Sequence, residues 1–215
     1  QFHVSEMTIR RDLAVCEGGS EISRCHGGAM LKSDLVHEAE YEKKLASNLK
    51  AKQRLAAYCA GLVPAHSSVY LDAGTTTLCI AEALLAVPGL TIVTNDLKIG
   101  LALTPYQGEV IVLGGRVQKS TGSMLGPMTQ ESLQGIRVNM AFVGAASIGE
   151  QYDAFTPTQE KVFLKRVLHS VAEQCYLVAD QSKFHSQALY KIDHLSQYTG
   201  VITDAAFTEG EQKRL

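Results

Sequence analysis

Three consecutive threonines, Thr75, Thr76 and Thr77, stand behind Asp72 and Gly74 in the stretch LDAGTTTLCIAEAL, Leu71 to Leu84. The residue types predict a strand ending at Asp72, a tight turn permitted by Gly74, and a helix whose first turn holds the threonines. Such a turn aims backbone N–H groups, hydroxyls and the positive end of the helix dipole at one point, and a phosphate supplies acceptors that fit it. The plainer alternative is a strand-to-helix turn whose threonines only cap the helix. Similar residues recur in four places: Thr94 and Asn95 after LTIV, Gly114 and Gly115 after EVIVL, Gly144 inside MAFVGAA, and Asp180 with Lys183 in CYLVADQSK. Singly these read as a helix cap, a flexible turn and a surface ion pair. Their shared position at the ends of β-rich runs argues for a site, because a phosphorylated polyol needs a hydroxyl, an amide, a carboxylate and an ammonium.

The elements that must position these residues follow from the pattern. The runs SVYLDAG, LTIVTN, EVIVLGG, MAFVGAA, CYLVAD and GVITD are strand candidates separated by helical segments. Alternation of this kind predicts an α/β domain with a mostly parallel, Rossmann-like sheet covered on both faces. Sheets of that class bind ligands outside the carboxyl ends of their strands. Upstream, from about His37 to Val63, Tyr41, Leu45, Leu49, Leu55, Cys59 and Leu62 keep roughly helical spacing and predict one long linking helix. Lys43, Lys44, Lys50, Lys52 and Arg54 lie between them and read as its solvated face.

The chain has 215 residues, 46% of them hydrophobic, which is enough for one large domain and a small appendage. A net charge of -2 gives no general basic signature. No apolar run approaches the ~20 residues that cross a bilayer, and the expectation is a cytoplasmic protein without a membrane partner. Cys16, Cys25, Cys59, Cys79 and Cys175 are scattered without paired spacing, so reduced thiols are expected, with neither metal nor cofactor.

At the other end of the chain, VSEMTIRRDL, Val4 to Leu13, predicts a helix with Ile9, Leu13 and Cys16 on one stripe and Met7, Thr8 and Arg11 on the opposite arc. Ser5 is placed to cap it, and Arg10 and Arg11 suit phosphate contacts or bidentate readout of guanine. Periodicity alone favours an ordinary amphipathic surface helix carrying two arginines, because such helices are common.

VSEMTIRRDL followed by SRCHGGA, Ser23 to Ala29, resembles the winged helix-turn-helix of the DeoR family of bacterial transcriptional regulators. The resemblance extends along the chain through LDAGTTT, TND, VLGG, LGP, AFVGA, ADQSKF and VITD, in the family's order. It implies a DNA reader using Ser5, Met7, Thr8, Arg10 and Arg11, with Arg24 and His26 from the wing, and a sensor domain similar to ribose-5-phosphate isomerase. Carried over motif by motif, Gly74 to Thr77 hold the phosphate of a sugar-phosphate effector and Thr94, Asn95, Gly114 and Gly115 shape the pocket. Asp180 and Lys183 meet the sugar hydroxyls, while Glu160 in TPTQEK matches a glutamate of the family's late helix. Gln181 stands where the family usually has Ser. The expected division is a partial winged helix-turn-helix at 1–30, a connector and linking helix at 31–66, and an effector domain at 67–215.

Departures from the family are also expected to matter. The family has two further helices before this reader and a further short strand after the segment ending at Leu215. In CEGGSEISR, Gly18, Gly19 and Ser20 stand where its helix runs on, and Glu21 replaces a usual apolar residue, so the wing is expected to be weakened. The implied partners are operator DNA, a sugar phosphate, and further copies of the chain as a dimer or tetramer, since such readers commonly bind paired half-sites. The expected function is repression of a carbohydrate-utilisation operon.

A sugar-phosphate isomerase is the rival reading. Aldose-ketose isomerisation needs a carboxylate base beside the carbonyl, yet AFVGA is followed by ASIG, Ala146 to Gly149, with no carboxylate before Glu150. A bare oligomerisation module would leave the threonine loop and the arginine helix unexplained.

Overall fold

The structure is a computed structural model that describes residues 5–18, 22–25, 28–31 and 41–212. Helix α1, Glu6–Gly18, is followed by an antiparallel hairpin of β1, Ile22–Cys25, and β2, Gly28–Leu31. They stand where the sequence predicts a helix followed by a wing-like hairpin. The Ser5 hydroxyl accepts the Thr8 N–H at 3.2 Å, as a capping residue should.

The expected linking helix is instead two helices, α2, Tyr41–Ala46, and α3, Leu49–Leu62. Asn48 breaks them apart with a left-handed backbone (φ 53) that helical geometry cannot accommodate. Residues 37–40, where the predicted helix began, lie outside the described residues.

From there the chain runs β3 (Ser68–Leu71), α4 (Thr75–Leu84), β4 (Thr91–Thr94), α5 (Leu97–Ala102) and β5 (Glu109–Val112). A hairpin of β6 (Arg116–Gln118) and β7 (Ser123–Leu125) leads to α6 (Pro127–Gln134) and β8 (Val138–Val143). Then come β9 (Ser147–Ile148), β10 (Asp153–Thr156), α7 (Gln159–Val171), β11 (Ala172–Val178), β12 (Tyr190–His194), β13 (Gly200–Ile202) and α8 (Glu209–Gln212). All six strand candidates are present and form one sheet, ordered β13-β11-β8-β3-β4-β5, in which every pairing is parallel.

Both faces of the central strands are buried, while the edge strand β5 is largely exposed, and the alternation of strand side chains divides the core in two. Val69, Leu71, Ile92, Met140 and Phe142 pack with Leu55 and Cys59 of α3, Ile80 and Leu84 of α4, and Ile99 of α5. Tyr70, Val93, Ala141, Val143 and Leu177 point the other way, into a cluster with Leu133 of α6 and Leu164 and Leu168 of α7. Strands β9, β10 and β12 form a separate antiparallel sheet that the sequence did not announce. They are two to five residues long and lack a continuous apolar run.

Strand order fixes where a ligand can sit. Starting at β3, the chain lays β4 and β5 to one side and β8, β11 and β13 to the other, with α4 and α5 on one face and α6 and α7 on the opposite one. The helices leaving β3 and β8 therefore part, and a crevice opens at the carboxyl ends of these two strands.

Candidate functional site

A cleft enclosing about 580 Å³ of non-protein space, part of it open to solvent, occupies that crevice. Its walls are the residues that follow three adjacent strands: Ala73 to Thr77 after β3, Gly144 to Ala146 after β8, and Ala179 with Lys183 after β11. Thr156, Lys161 and Lys165 close it from the side of α7, and Lys44 reaches it from α2.

The threonine loop is built much as its sequence suggests. Among the described residues no side chain caps α4, so its first N–H groups are left to the cleft. Thr75, Thr76 and Thr77 all line the wall, but the Thr77 hydroxyl donates to the Gly74 carbonyl at 2.9 Å. Thr75 and Thr76 therefore supply the hydroxyl donors. Gly74, expected to permit a tight turn, has an extended backbone (φ 162). Its contribution is the bare approach to the helix end.

Asp72 stands behind the wall. One of its oxygens, Oδ2, accepts from the Gly144 N–H at 3.0 Å and from the Lys165 ammonium, which also donates to the Gly144 carbonyl at 2.6 Å. The side chains of this ion pair are each 5% exposed. Together they tie the ends of β3 and β8 to α7 and hold Lys165 at the cleft. Lys161, one turn earlier on α7, is also buried and also lines it.

Neither lysine was expected at the site. A signal was present: Lys161, Lys165 and Leu168 fall at i, i+4 and i+7 on the stripe that faces the core, while Phe163 is half exposed. Lysines on the apolar stripe and a phenylalanine off it invert the usual helix pattern, which marks a polar demand inside.

Other predicted residues brace the cleft without lining it. The Thr94 hydroxyl donates to the Leu71 carbonyl at 2.8 Å and accepts the Asp96 N–H at 3.1 Å. Asn95 accepts from the Tyr70 hydroxyl at 2.9 Å and donates to the Met124 carbonyl at 3.1 Å, fastening the β6–β7 hairpin over the end of β4. The neighbouring Asp96 caps α5 through the Lys98 and Ile99 N–H groups, while burial pushes its carboxyl up. The Gly114 carbonyl accepts from Thr129 at 2.7 Å, and Gly115 (φ 152) has no room for a side chain, whose first carbon would lie 2.1 Å from the Thr129 hydroxyl. Glu160 is half-buried on α7 and accepts from Arg116 through both oxygens at 2.7 Å.

Asp180 lines an adjoining chamber of about 440 Å³ with Lys43, Lys44, Ser47, Lys52, Ser182 and Lys183. Its Oδ1 accepts from Asn48 at 2.9 Å and from the Ser182 N–H at 3.0 Å, whereas the buried Oδ2 has no hydrogen-bond partner among the described residues. Lys52, expected on a solvated face, is 2% exposed and donates to the Lys44 and Ser47 carbonyls at the end of α2. The break at Asn48 turns this part of the connector inward.

Of the residues expected to read DNA, Met7, Thr8, Arg10 and Arg11 are exposed on α1, and Arg24 lies on β1 opposite Ala29. His26 lies outside the described residues. Among the described residues no helix is long and apolar enough to cross a membrane, and no group of three or more His, Cys, Asp or Glu residues is placed to hold a metal ion. Cys59, Cys79 and Cys175 are free and buried, and burial pushes the Cys59 and Cys175 thiols up to about 12.

A family model described as the DeoR C terminal sensor domain matches residues 47–205, and one described as the DeoR-like helix-turn-helix domain matches residues 1–34. The chain belongs to the DeoR family. The HTH-type transcriptional regulator YgbI of Escherichia coli K12 is 33% identical over 216 residues, covering 100% of this chain and 84% of that protein. The glycerol-3-phosphate regulon repressor of the same organism is 32% identical over 205 residues, covering 95% of this chain and 81% of the repressor. Among solved structures, eIF2B delta of Chaetomium thermophilum shares the fold, with a TM-score of 0.54 and 13% identity over 75% of this chain and 58% of that one. Ribose 5-phosphate isomerase A of Methanocaldococcus jannaschii aligns over 64% of this chain and 55% of the isomerase, with a TM-score of 0.47 and 16% identity. This DeoR-family chain thus has a sensor match that takes in α3 as well as the sheet.

Proposed function

We propose that this DeoR-family regulator binds a phosphorylated sugar in the strand-end cleft and that binding lowers its affinity for operator DNA, relieving repression of a carbohydrate-utilisation operon. The observation that carries this reading is the convergence of the uncapped end of α4 with the buried Lys161 and Lys165 at the fork between β3 and β8. A phosphate satisfies the N–H groups, the hydroxyls and the ammonium groups together. The name of the glycerol-3-phosphate repressor agrees with an effector of this class. The reader is assigned to 1–30, the connector to 31–66, with its α3 packed on the effector domain, and the effector domain to 67–215. A regulator of this kind acts in the cytoplasm as a dimer or tetramer on paired half-sites.

Binding without turnover is favoured over isomerisation. The cleft lining of described residues contains no carboxylate, since Asp72 is engaged behind it by Lys165 and Gly144. Asp180 has one oxygen committed to Asn48 and Ser182.

Thermal unfolding against three- to six-carbon sugar phosphates, the parent sugars and free phosphate tests the reading, with each positive sample assayed for isomerised product. At ~100 times Kd a ligand adds about 2.7 kcal/mol, or roughly 5–10 °C for a domain of this size. A rise confined to phosphorylated sugars without product is expected. Product would make the chain an isomerase, and no rise with any compound would reduce the threonine loop to a helix cap.

A further inference from the structure

Asparagine is among the residues favoured to cap a helix, and Asn48 stands at the cap position of α3, yet its side chain makes no capping bond. The amide reaches instead to the loop after β11. It donates to Asp180 Oδ1 at 2.9 Å and to Ser182 Oγ at 3.0 Å, residues that lie far along the chain. The Ser182 hydroxyl in turn donates to the same Oδ1 at 2.5 Å, and the Ser182 N–H adds a third bond to it at 3.0 Å.

Three donors on one oxygen fix how the carboxylate is turned and leave its other oxygen over. Asp180 is 1% exposed, and its Oδ2 has no hydrogen-bond partner among the described residues. A carboxylate oxygen can only accept, and keeping one in the interior without a donor is costly. Among the described residues that line the adjoining chamber, Asp180 is the only carboxylate, and that chamber shares Lys44 and Lys183 with the cleft that holds the threonine loop. A phosphorylated sugar brings hydroxyl donors into this space.

The three donors differ in origin. Those of Ser182 lie two residues from Asp180 in the same short turn, so they travel with the carboxylate. Asn48 belongs to the connector, at the break between α2 and α3. Lys52 of α3 binds that break to α2 by donating to the Lys44 and Ser47 carbonyls. How the carboxylate is set therefore depends on how α2 is seated.

We propose that Asn48 is a positioning residue: it turns Asp180 so that Oδ2 receives a hydroxyl of the effector, and it makes recognition of that hydroxyl depend on the seating of the connector. The inference rests on the sugar-phosphate reading above. It adds that the effector carries a hydroxyl whose loss the site detects, and that the amide contributes only while the connector is seated.

Calorimetry on the intact chain tests this with the tightest-binding sugar phosphate of the thermal panel and its monodeoxy analogues. The parent should bind the sugar phosphate about tenfold or more tightly than at least one analogue, the scale of a hydrogen bond to a charged group. Asn48→Gly keeps the left-handed backbone and removes only the amide. It should weaken the sugar phosphate about three- to tenfold and leave that analogue bound as before. In the full-length regulator the factor by which the sugar phosphate weakens operator binding should shrink to the same extent. Equal weakening of both ligands would reduce Asn48 to a structural role and overturn the proposal. Tighter or unchanged binding of the sugar phosphate by the glycine variant, an unchanged operator factor, or a parent indifferent to every deoxy position would overturn it as well, with the sugar-phosphate reading left standing. Absence of binding by every phosphorylated compound would overturn both.

Discussion

Among single residues, Thr76 and Asp72 have opposite duties, and the difference is measurable. Thr76 is half-buried at the wall, and its hydroxyl is not spent on the Gly74 carbonyl as that of Thr77 is. Removing a hydrogen bond to a charged acceptor costs about 1.5–3 kcal/mol. Thr76→Ala should therefore weaken sugar-phosphate binding ten- to hundredfold in calorimetry, while the unligated melting temperature stays where it was. Asp72 works on the fold, since its removal strands the Lys165 ammonium in the interior. Asp72→Ala should cost about 3–5 kcal/mol in urea denaturation, and the double variant Asp72→Ala, Lys165→Met should regain much of the loss by deleting the orphaned charge. If the single variant is as stable as the parent, the pair is not what holds the strand ends. Both residues stand in the sequence beside a recognisable loop, but which of them faces the ligand was not legible there. That depended on Lys165, 93 residues away along the chain from Asp72.

Elements were legible where the sequence carries a continuous apolar run. The central strands of the parallel sheet were readable because residues packed on both faces leave apolar runs such as VYL and MAFV, and the edge strand β5 kept the apolar run VIV although it is largely exposed. The antiparallel β9, β10 and β12 gave no comparable signal, because they are two to five residues long and polar residues interrupt them. Helical spacing carried straight through the α2–α3 break, since apolar periodicity does not register one left-handed residue. Asn48 is suited to that conformation, and its amide donates to Asp180 at 2.9 Å and Ser182 at 3.0 Å, which anchors the break to the loop after β11. Asn48→Ala loses both the amide and the backbone tolerance, and about 1–3 kcal/mol of stability should go with them. Asn48→Gly loses only the amide, so it should be more stable than the alanine variant by about 1 kcal/mol in the same denaturation assay. Equal stabilities would show that the left-handed turn is not maintained.

For the whole molecule, the question is how a cleft at the sheet communicates with a reader at the other end of the chain. The structure puts the connector in contact with the site at two points: Lys44 of α2 lines the cleft, and Asn48 is fastened to Asp180. Tyr41, at the start of α2, is buried beneath the Lys98 ammonium, which stands 3.2 Å from its ring centroid, so α2 is seated on the sensor domain through its first turn. A ligand that draws Lys44 and Lys183 together would shift the balance of α2 between arrangements, and linkage makes the effect mutual: whatever factor the ligand takes from operator affinity, operator must take from ligand affinity. The full-length regulator should show the same factor when operator is titrated with and without effector and when effector is titrated with and without operator. Arg11, exposed on α1, supplies the control at the DNA end. Arg11→Ala should weaken operator binding by about 1–3 kcal/mol, the discrimination of one bidentate base contact, while effector affinity measured without DNA remains that of the parent. A gel shift undisturbed by the substitution would remove α1 as the reader, and unequal factors in the two titrations would break the linkage between cleft and operator.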